Sequence, residues 1–149
     1  MEQIEHCLSF YLGKAYQRVT QSARQRLGAY GVTPVQYAVL KVLWERDSQS
    51  GAELGERLLL DSATMTGLLD RLEHAGLIER QSHATDRRVN RVMLMARGRE
   101  LQVPLDHEMD QLNQDFLGQF PPQEAKLLRE LLTTIARWQG TERGASAQQ

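Results

Sequence analysis

LLLDSATMTGLLDRLEHAGLIER, Leu58 to Arg80, is the stretch whose reading decides the fold. It reads as the end of a short helix, a turn, a second helix, and a strand that leaves a glycine. Asp61 or Ser62 suits the N-cap of the second helix, because a short side-chain oxygen can accept a hydrogen bond from a free backbone N–H in the first turn. Met65, Leu68, Leu69 and Leu72 fall at helical spacing and predict one buried face. Ser62, Thr64, Thr66, Gly67, Asp70 and Arg71 occupy much of the rest. Short hydroxyls, a glycine and one arginine suit a helix that lies close against another surface. Gly76 is placed to end the helix, where a residue without Cβ takes positive φ.

Working outward, Gly51 to Leu58 (GAELGERL) predicts a first helix with Ala52, Leu54 and Leu58 turned inward. The pair has the form of a helix-turn-helix, a motif whose second helix enters the major groove of DNA. Downstream, Leu77-Ile78-Glu79-Arg80 and Arg91-Val92-Met93-Leu94 read as two short strands, with the polar tip QSHATDRRVN between them. Two helices followed by a β-hairpin predict a winged helix-turn-helix, the hairpin being the wing.

Asp86-Arg87-Arg88 followed by Leu94 and Gly98 resembles the wing signature of the MarR-type regulators: D-x-R, five residues, L-T, two residues, G. The order of elements also resembles that family. A long first helix precedes TPVQYAVLKVLWE, the helix-turn-helix, the wing and two C-terminal helices, so the likeness runs from about Ile4 to Trp138. Met95 stands where the family usually has a threonine that would cap the next helix. Gly67 stands where some relatives carry a base-reading arginine. The resemblance implies a mainly α fold with a small β-hairpin wing, a winged helix-turn-helix flanked by N- and C-terminal dimerisation helices. It divides the chain into one domain at 1–139, with a DNA-binding lobe at 34–98 and dimerisation helices at 1–30 and 99–139; the tail at 140–149, which lacks an apolar stripe, is expected to be disordered.

A chain of 149 residues with 41% hydrophobic and 25% charged residues is long enough for one domain with its own core. No apolar run reaches membrane-spanning length, and MEQIEHCLSF lacks a basic segment leading into an apolar one, so a cytoplasmic protein is expected. The single cysteine, Cys7, excludes an intrachain disulfide and a thiolate-rich metal site. A net charge of −1 is unusual for a nucleic-acid binder, but the charges are segregated. Gly76 to Arg99 carries six arginines against Glu79 and Asp86, a local balance of +4, whereas Glu100 to Glu130 carries seven acids and two bases, a balance of −5. A basic wing beside an acidic helical body makes a directional field.

Residues 4 to about 29 predict one long amphipathic helix, with Ile4, Cys7, Leu8, Tyr11, Ala15, Val19 and Leu27 on its apolar side. Thr33-Pro34 starts the next helix, threonine capping and proline at the first position. Its inner face is read as Tyr37, Leu40, Val42 or Leu43, and Trp44. Asp47 to Ser50 reads as a polar turn. Ala96 to about Gln119 predicts a helix striped by Leu101, Leu105, Met109, Leu112, Phe116 and Phe120, bent at Pro104. Pro121-Pro122 breaks the chain before a last helix whose broad apolar face holds Leu127, Leu128, Leu131, Leu132, Ile135 and Trp138. The two ends thus carry more apolar surface than a small winged helix covers. A C2 homodimer would bury it, and would set two recognition helices on successive major grooves, roughly 34 Å apart, over a palindrome.

Arg87 and Arg88 at the wing tip are the foremost candidates for contact with phosphates or a narrow minor groove, with Asp86 orienting an arginine. Alone they would be a solvated charge run; behind a helix-turn-helix they read as DNA contacts. On the recognition helix Ser62, Thr64, Thr66 and Arg71 are the candidates, the bland alternatives being local capping for the hydroxyls and an ion pair with Asp70 or Glu73 for Arg71. For a small effector, which the resemblance places between the dimer helices and the lobe, the candidates are His6, Phe10, Tyr11, Lys14, Arg18, Tyr37 and Trp44. Aromatic walls with a few polar groups suit an aromatic or phenolic acid. The alternative for each is core packing or a solvated end.

Cys7 has two readings. Free cysteine is commonly a buried small hydrophobe, and the helical spacing fits that. The organic-hydroperoxide sensors of the MarR family carry a reactive cysteine near the start of this helix with a tyrosine four residues on, a spacing that Cys7 and Tyr11 share; their further tyrosines have no counterpart at Gln21 and Pro34. His6, His74, His83 and His107 lack metal-ligand spacing, and no nucleophile constellation or glycine-rich phosphate loop is present, so neither an enzyme nor a cofactor is expected. Three readings follow: a repressor released by a small ligand, a regulator switched at Cys7, and a winged-helix protein-interaction module without DNA binding.

Overall fold

A computed structural model describes residues 3–82 and 90–140. The wing-tip candidates Asp86, Arg87 and Arg88 lie outside the described residues, as does the chain after Gly140. The elements run α1 (Leu8–Gly28), α2 (Pro34–Glu45), β1 (Gln49–Ser50), α3 (Gly51–Leu58), α4 (Ser62–His74), β2 (Ile78–Ser82), β3 (Asn90–Leu94), α5 (Ala96–Glu100), α6 (Gln102–Leu117) and α7 (Pro122–Ala136). The strands form an antiparallel sheet in the order β1-β3-β2, with Ile78 opposite Leu94 and Arg80 opposite Val92. The fold is therefore mainly helical with a small antiparallel wing sheet, as the helix-turn-helix reading required.

Local chemistry sets the helix starts. Thr33 Oγ accepts from the Gln36 amide while the Gln36 side chain accepts from the Thr33 amide. Ser50 and Glu53 repeat the same reciprocal box at the head of α3. Asp61, not Ser62, caps α4, accepting from the Thr64 amide at 2.7 Å. At the other end Gly76 takes φ +71°, the Gly76 amide donates to Glu73 O and the Leu77 amide to Leu72 O. That closes the last turn of α4 and seats Leu77 in the core beside Leu72.

The core of the lobe gathers Leu40 and Leu43 of α2, Leu54 of α3, Met65, Leu68, Leu69 and Leu72 of α4, and Ile78, Val92 and Leu94 of the sheet. All four apolar positions of α4 are buried as its periodicity predicts. Leu27 of α1 and Leu105 of α6 enter the same core, so the lobe and the flanking helices share one interior. Each such leucine contributes about 1.5–3 kcal/mol by leaving water. On α2 the buried residues are Val39, Leu40, Val42 and Leu43, with Tyr37 and Trp44 half-buried at its edge.

Several sequence expectations are corrected. Residues 4 to 29 are not one helix: a 3-10 turn at Ile4–His6 precedes α1, and Cys7 is the extended N-cap between them. Cys7 is therefore half-exposed and off the helical face on which its spacing had placed it. Ala52 points to solvent, and Gly55 takes its place beside Leu54. The turn at 47–50 contains β1, whose Gln49 is 3% exposed because its amide nitrogen donates to Val42 O and Arg46 O. The helix after the wing is two helices divided at Leu101, with Pro104 in the first turn of α6. Proline in mid-helix would crowd the carbonyl four residues back, whereas in a first turn its missing N–H costs nothing. Met95, standing in the N-cap position of α5, makes no side-chain capping bond.

Gly98 lies where the sheet meets α5. The Leu77 carbonyl accepts the Met95 amide there, and a Cβ on Gly98 would sit 2.2 Å from that same oxygen. The Gly98 carbonyl in turn accepts the indole N–H of Trp44 at 2.9 Å.

α1, α6 and α7 carry the largest uncovered apolar surface. Leu8, Tyr11, Leu12, Ala15 and Val19 face Leu112, Phe116 and Phe120 and, across them, Leu128, Leu131, Leu132 and Ile135, around a groove of about 650 Å³. α7 buries only Ala125, and Trp138 just beyond it is 73% exposed. No helix among the described residues is long and apolar enough to cross a membrane.

Candidate nucleic-acid interface

With Met65, Leu68, Leu69 and Leu72 turned inward, the 3.6-residue period of α4 puts Ala63, Gly67, Asp70 and His74 at the middle of its outer face. Thr66 and Arg71 flank them, and Ser62 and Thr64 lie toward the margins; all of these except half-buried Gly67 are exposed. Nothing lies within 4 Å of the position a Cβ on Gly67 would take, so the centre of the face is open. Ser62 and Thr66 also line a notch between α3 and α4, together with Gly51, Ala52, Gly55 and Glu56. Small side chains on both walls let a bulky partner come close.

The hydroxyls are partly engaged. Thr64 Oγ donates to Asp61 Oδ2 at 2.9 Å, and Thr66 Oγ donates to Ser62 O at 2.9 Å. Their oxygens remain able to accept, while Ser62 keeps both capacities among the described residues. The Asp61 carboxyl is held below its ordinary pKa, first by the Thr64 amide and then by the Thr64 hydroxyl. Arg71 is exposed and makes no ion pair among the described residues. The two acids it was weighed against are taken by another residue. Arg80 on β2 reaches Asp70 at 2.6 Å and Glu73 at 2.6 Å, and Glu73 also accepts from the Arg80 amide at 3.3 Å. The Arg80 guanidinium holds the Glu73 carboxyl below its usual range.

This pairing corrects the charge tally of the wing. Arg91 bonds Glu53, and Arg99 bonds Asp47 at 3.0 Å. Three of the six arginines counted from Gly76 to Arg99 thus face carboxylates outside that window. Sequence order could not reveal this, because partners such as Arg91 and Glu53 meet only through the fold.

The effector candidates fall into separate groups. Tyr37 and Trp44 stack edge-to-face at 5.9 Å between ring centres, their polar tips already bonded to Asp106 and Gly98. Phe10 and Tyr11 stack at 5.2 Å near the start of α1, with the Lys14 ammonium 5.9 Å from the Phe10 ring. Of the seven, only Tyr11 lines the large groove; His6 and Arg18 are exposed outside it. Among the described residues, the large groove gathers only one of the set. Cys7 Sγ is 3.3 Å from Ser9 Oγ, and the thiol pKa is lowered by that hydroxyl first and by the Phe10 backbone N–H second.

Residues 32–89, spanning most of the helix-turn-helix and the wing, match the family model described as the MarR family. The chain superposes on a probable transcriptional regulator from Pseudomonas aeruginosa, with a TM-score of 0.82, 30% identity, and coverage of 89% of this chain and 99% of that one. The chain belongs to the MarR family. Bordetella bronchiseptica BpsR, solved in work on regulation of its DNA binding by 6-hydroxynicotinic acid, superposes with a TM-score of 0.84 at 25% identity, covering 93% of this chain and 99% of that one. The organic hydroperoxide resistance transcriptional regulator of Bacillus subtilis is 35% identical over 86 residues, 58% of each chain. The chain spans 54–63% of the length of the first curated relatives it matches. In MarR terms, α3 and α4 are the helix-turn-helix, and β2 and β3 are the wing strands.

Proposed function

We propose that this MarR-family chain is a homodimeric DNA-binding transcriptional regulator, a repressor that leaves a palindromic operator when it binds a small aromatic or phenolic acid. The observation that carries the reading is the pairing of two surfaces. One is the open, small-residue outer face of α4; the other is the uncovered apolar groove of α1, α6 and α7. The first suits close approach to a duplex and the second suits a second copy of the chain. The likeness to BpsR, whose DNA binding is regulated by 6-hydroxynicotinic acid, supports the effector class. The ligand works only if it prefers one arrangement of the two heads over the other.

The test is a binding titration on duplex DNA from upstream of the protein's own gene, repeated at several salt concentrations and with aromatic acids added. Specific binding that weakens steeply with salt and is reversed by one of the acids is the expected result. Absence of specific duplex binding, even after selection from random duplexes, would overturn the reading. Arg88→Ala should weaken binding across all sequences and flatten the slope of log K against log salt by about 0.9 per subunit for one lost phosphate contact. An unchanged slope would remove Arg88 from the interface.

A second reading is favoured by the position of Cys7. A half-exposed thiol at a helix N-cap, stabilised as thiolate by Ser9 and the Phe10 amide, is suited to attack a peroxide oxygen. The alcohol leaves and the sulfur becomes a sulfenate, which adds a polar oxygen beside the apolar groove. Under this reading an organic hydroperoxide abolishes DNA binding, a thiol reductant restores it, and Cys7→Ser is indifferent to both. Binding by the unsubstituted protein that ignores peroxide would leave the small-ligand reading alone.

A further inference from the structure

α6 touches three parts of the molecule. Near its start, Asp106 reaches α2 of the DNA-reading lobe: Tyr37 Oη donates to Asp106 Oδ1 at 2.9 Å, and Lys41 Nζ donates to Oδ1 at 2.9 Å and Oδ2 at 2.8 Å. Further along, Glu108 and Asp115 bond Arg26 of α1 at 3.1 and 2.6 Å. Its last turns present Leu112 and Phe116 to the large groove. Tyr37 and Lys41 stand four residues apart, one above the other on α2, so a single carboxylate can take both. The Asp106 side chain is 24% exposed and that of Lys41 is 40%, which leaves the pair only partly screened by water.

Apolar contacts through Leu105 also join α6 to the lobe, but such contacts have no preferred direction. A carboxylate gripped by a phenol and an ammonium does have one. We propose that Tyr37, Lys41 and Asp106 form a latch that fixes the angle of the DNA-reading lobe on α6, making Asp106 a positioning residue that determines which half-site spacing the dimer accepts. The proposal rests on the dimer reading above. Asp106 itself need touch neither DNA nor effector.

The test uses the full chain and duplexes selected from random sequence by the unsubstituted protein. The selected palindrome is resynthesised with one base pair added or removed between its half-sites. Asp106→Asn keeps an acceptor for Tyr37 and loses the ion pair; Lys41→Met removes the ammonium. Both variants should keep their dimer mass in solution and their affinity for a single half-site. Their discrimination between the native and the altered spacings should fall by about threefold to tenfold, the size of coupling expected for contacting groups. Tyr37→Phe should act in the same direction more weakly.

Three outcomes would overturn the proposal. The first is discrimination equal to that of the unsubstituted protein. The second is a joint fall in affinity for all spacings and for the single half-site, with a lower melting midpoint, which shows a role in folding alone. The third is selection of single half-sites bound by a monomer, in which case the dimer reading fails and the latch fails with it.

Discussion

Gly98→Ala is expected to lower the midpoint of thermal unfolding by about 10 °C, the equivalent of about 3 kcal/mol in a chain of this size. The added methyl would stand 2.2 Å from the Leu77 carbonyl oxygen and 3.3 Å from a methyl of Leu94. Neither neighbour can give way cheaply. The Leu77 carbonyl is backbone and already accepts the Met95 amide, and Leu94 is held in the sheet and the core. Relief requires α5 to lift away from the wing, which also pulls the Gly98 carbonyl from the Trp44 indole. Thermal denaturation followed by circular dichroism measures the effect. Gly67→Ala is the internal control, because its added methyl meets nothing and alanine favours a helix interior by about 0.5–1 kcal/mol. Equal midpoints for the two variants would show that the contact at Gly98 is not the constraint described.

If the proposed homodimer forms through the groove, Leu132→Glu should leave a monomer and weaken binding to the full palindrome by about a hundredfold or more, the scale on which two linked half-sites outperform one. Leu132 lines the groove from α7 and is exposed in the single chain, so the substitution leaves the core intact. Against a second copy it would carry a carboxylate into an apolar interface with nothing to receive it. Sedimentation gives the mass, and a titration on the palindrome gives the affinity. Affinity for one half-site should be unchanged. A variant that remains dimeric would place the interface elsewhere.

The recognition helix was legible in the sequence because its own period marks it. Four apolar side chains, an aspartate cap and a closing glycine agree with one another over a short stretch, and each was found where it was expected. β1 was not legible, since two residues carry no period, and a buried glutamine reads as polar until its carbonyl partners are in place. The division at Leu101 depends on where Pro104 falls within a turn, which hydrophobic spacing does not fix. The candidate site divides in the same way. Exposure of Ser62, Thr64, Thr66 and Arg71 follows from helical phase, whereas the engagement of Asp70 by Arg80 and of Tyr37 by Asp106 depends on residues brought together only by the fold. Cys7 escaped the helix because the preceding 3-10 turn ends there, and no residue pattern signalled that stop.

Three bonded carboxylates of α6, Asp106, Glu108 and Asp115, make it a lever. Its 16 residues span about 24 Å at 1.5 Å per residue. One end is tied to the lobe through Asp106, and the other lies against the groove. The ten residue steps from Asp106 to Phe116 make an arm of about 15 Å, so a tilt of about 13° about Phe116 would carry Asp106 about 3.4 Å, close to one base-pair step of duplex DNA. In the proposed dimer, a tilt of that size would put a recognition helix out of step with the bases, with no change inside the lobe that reads them.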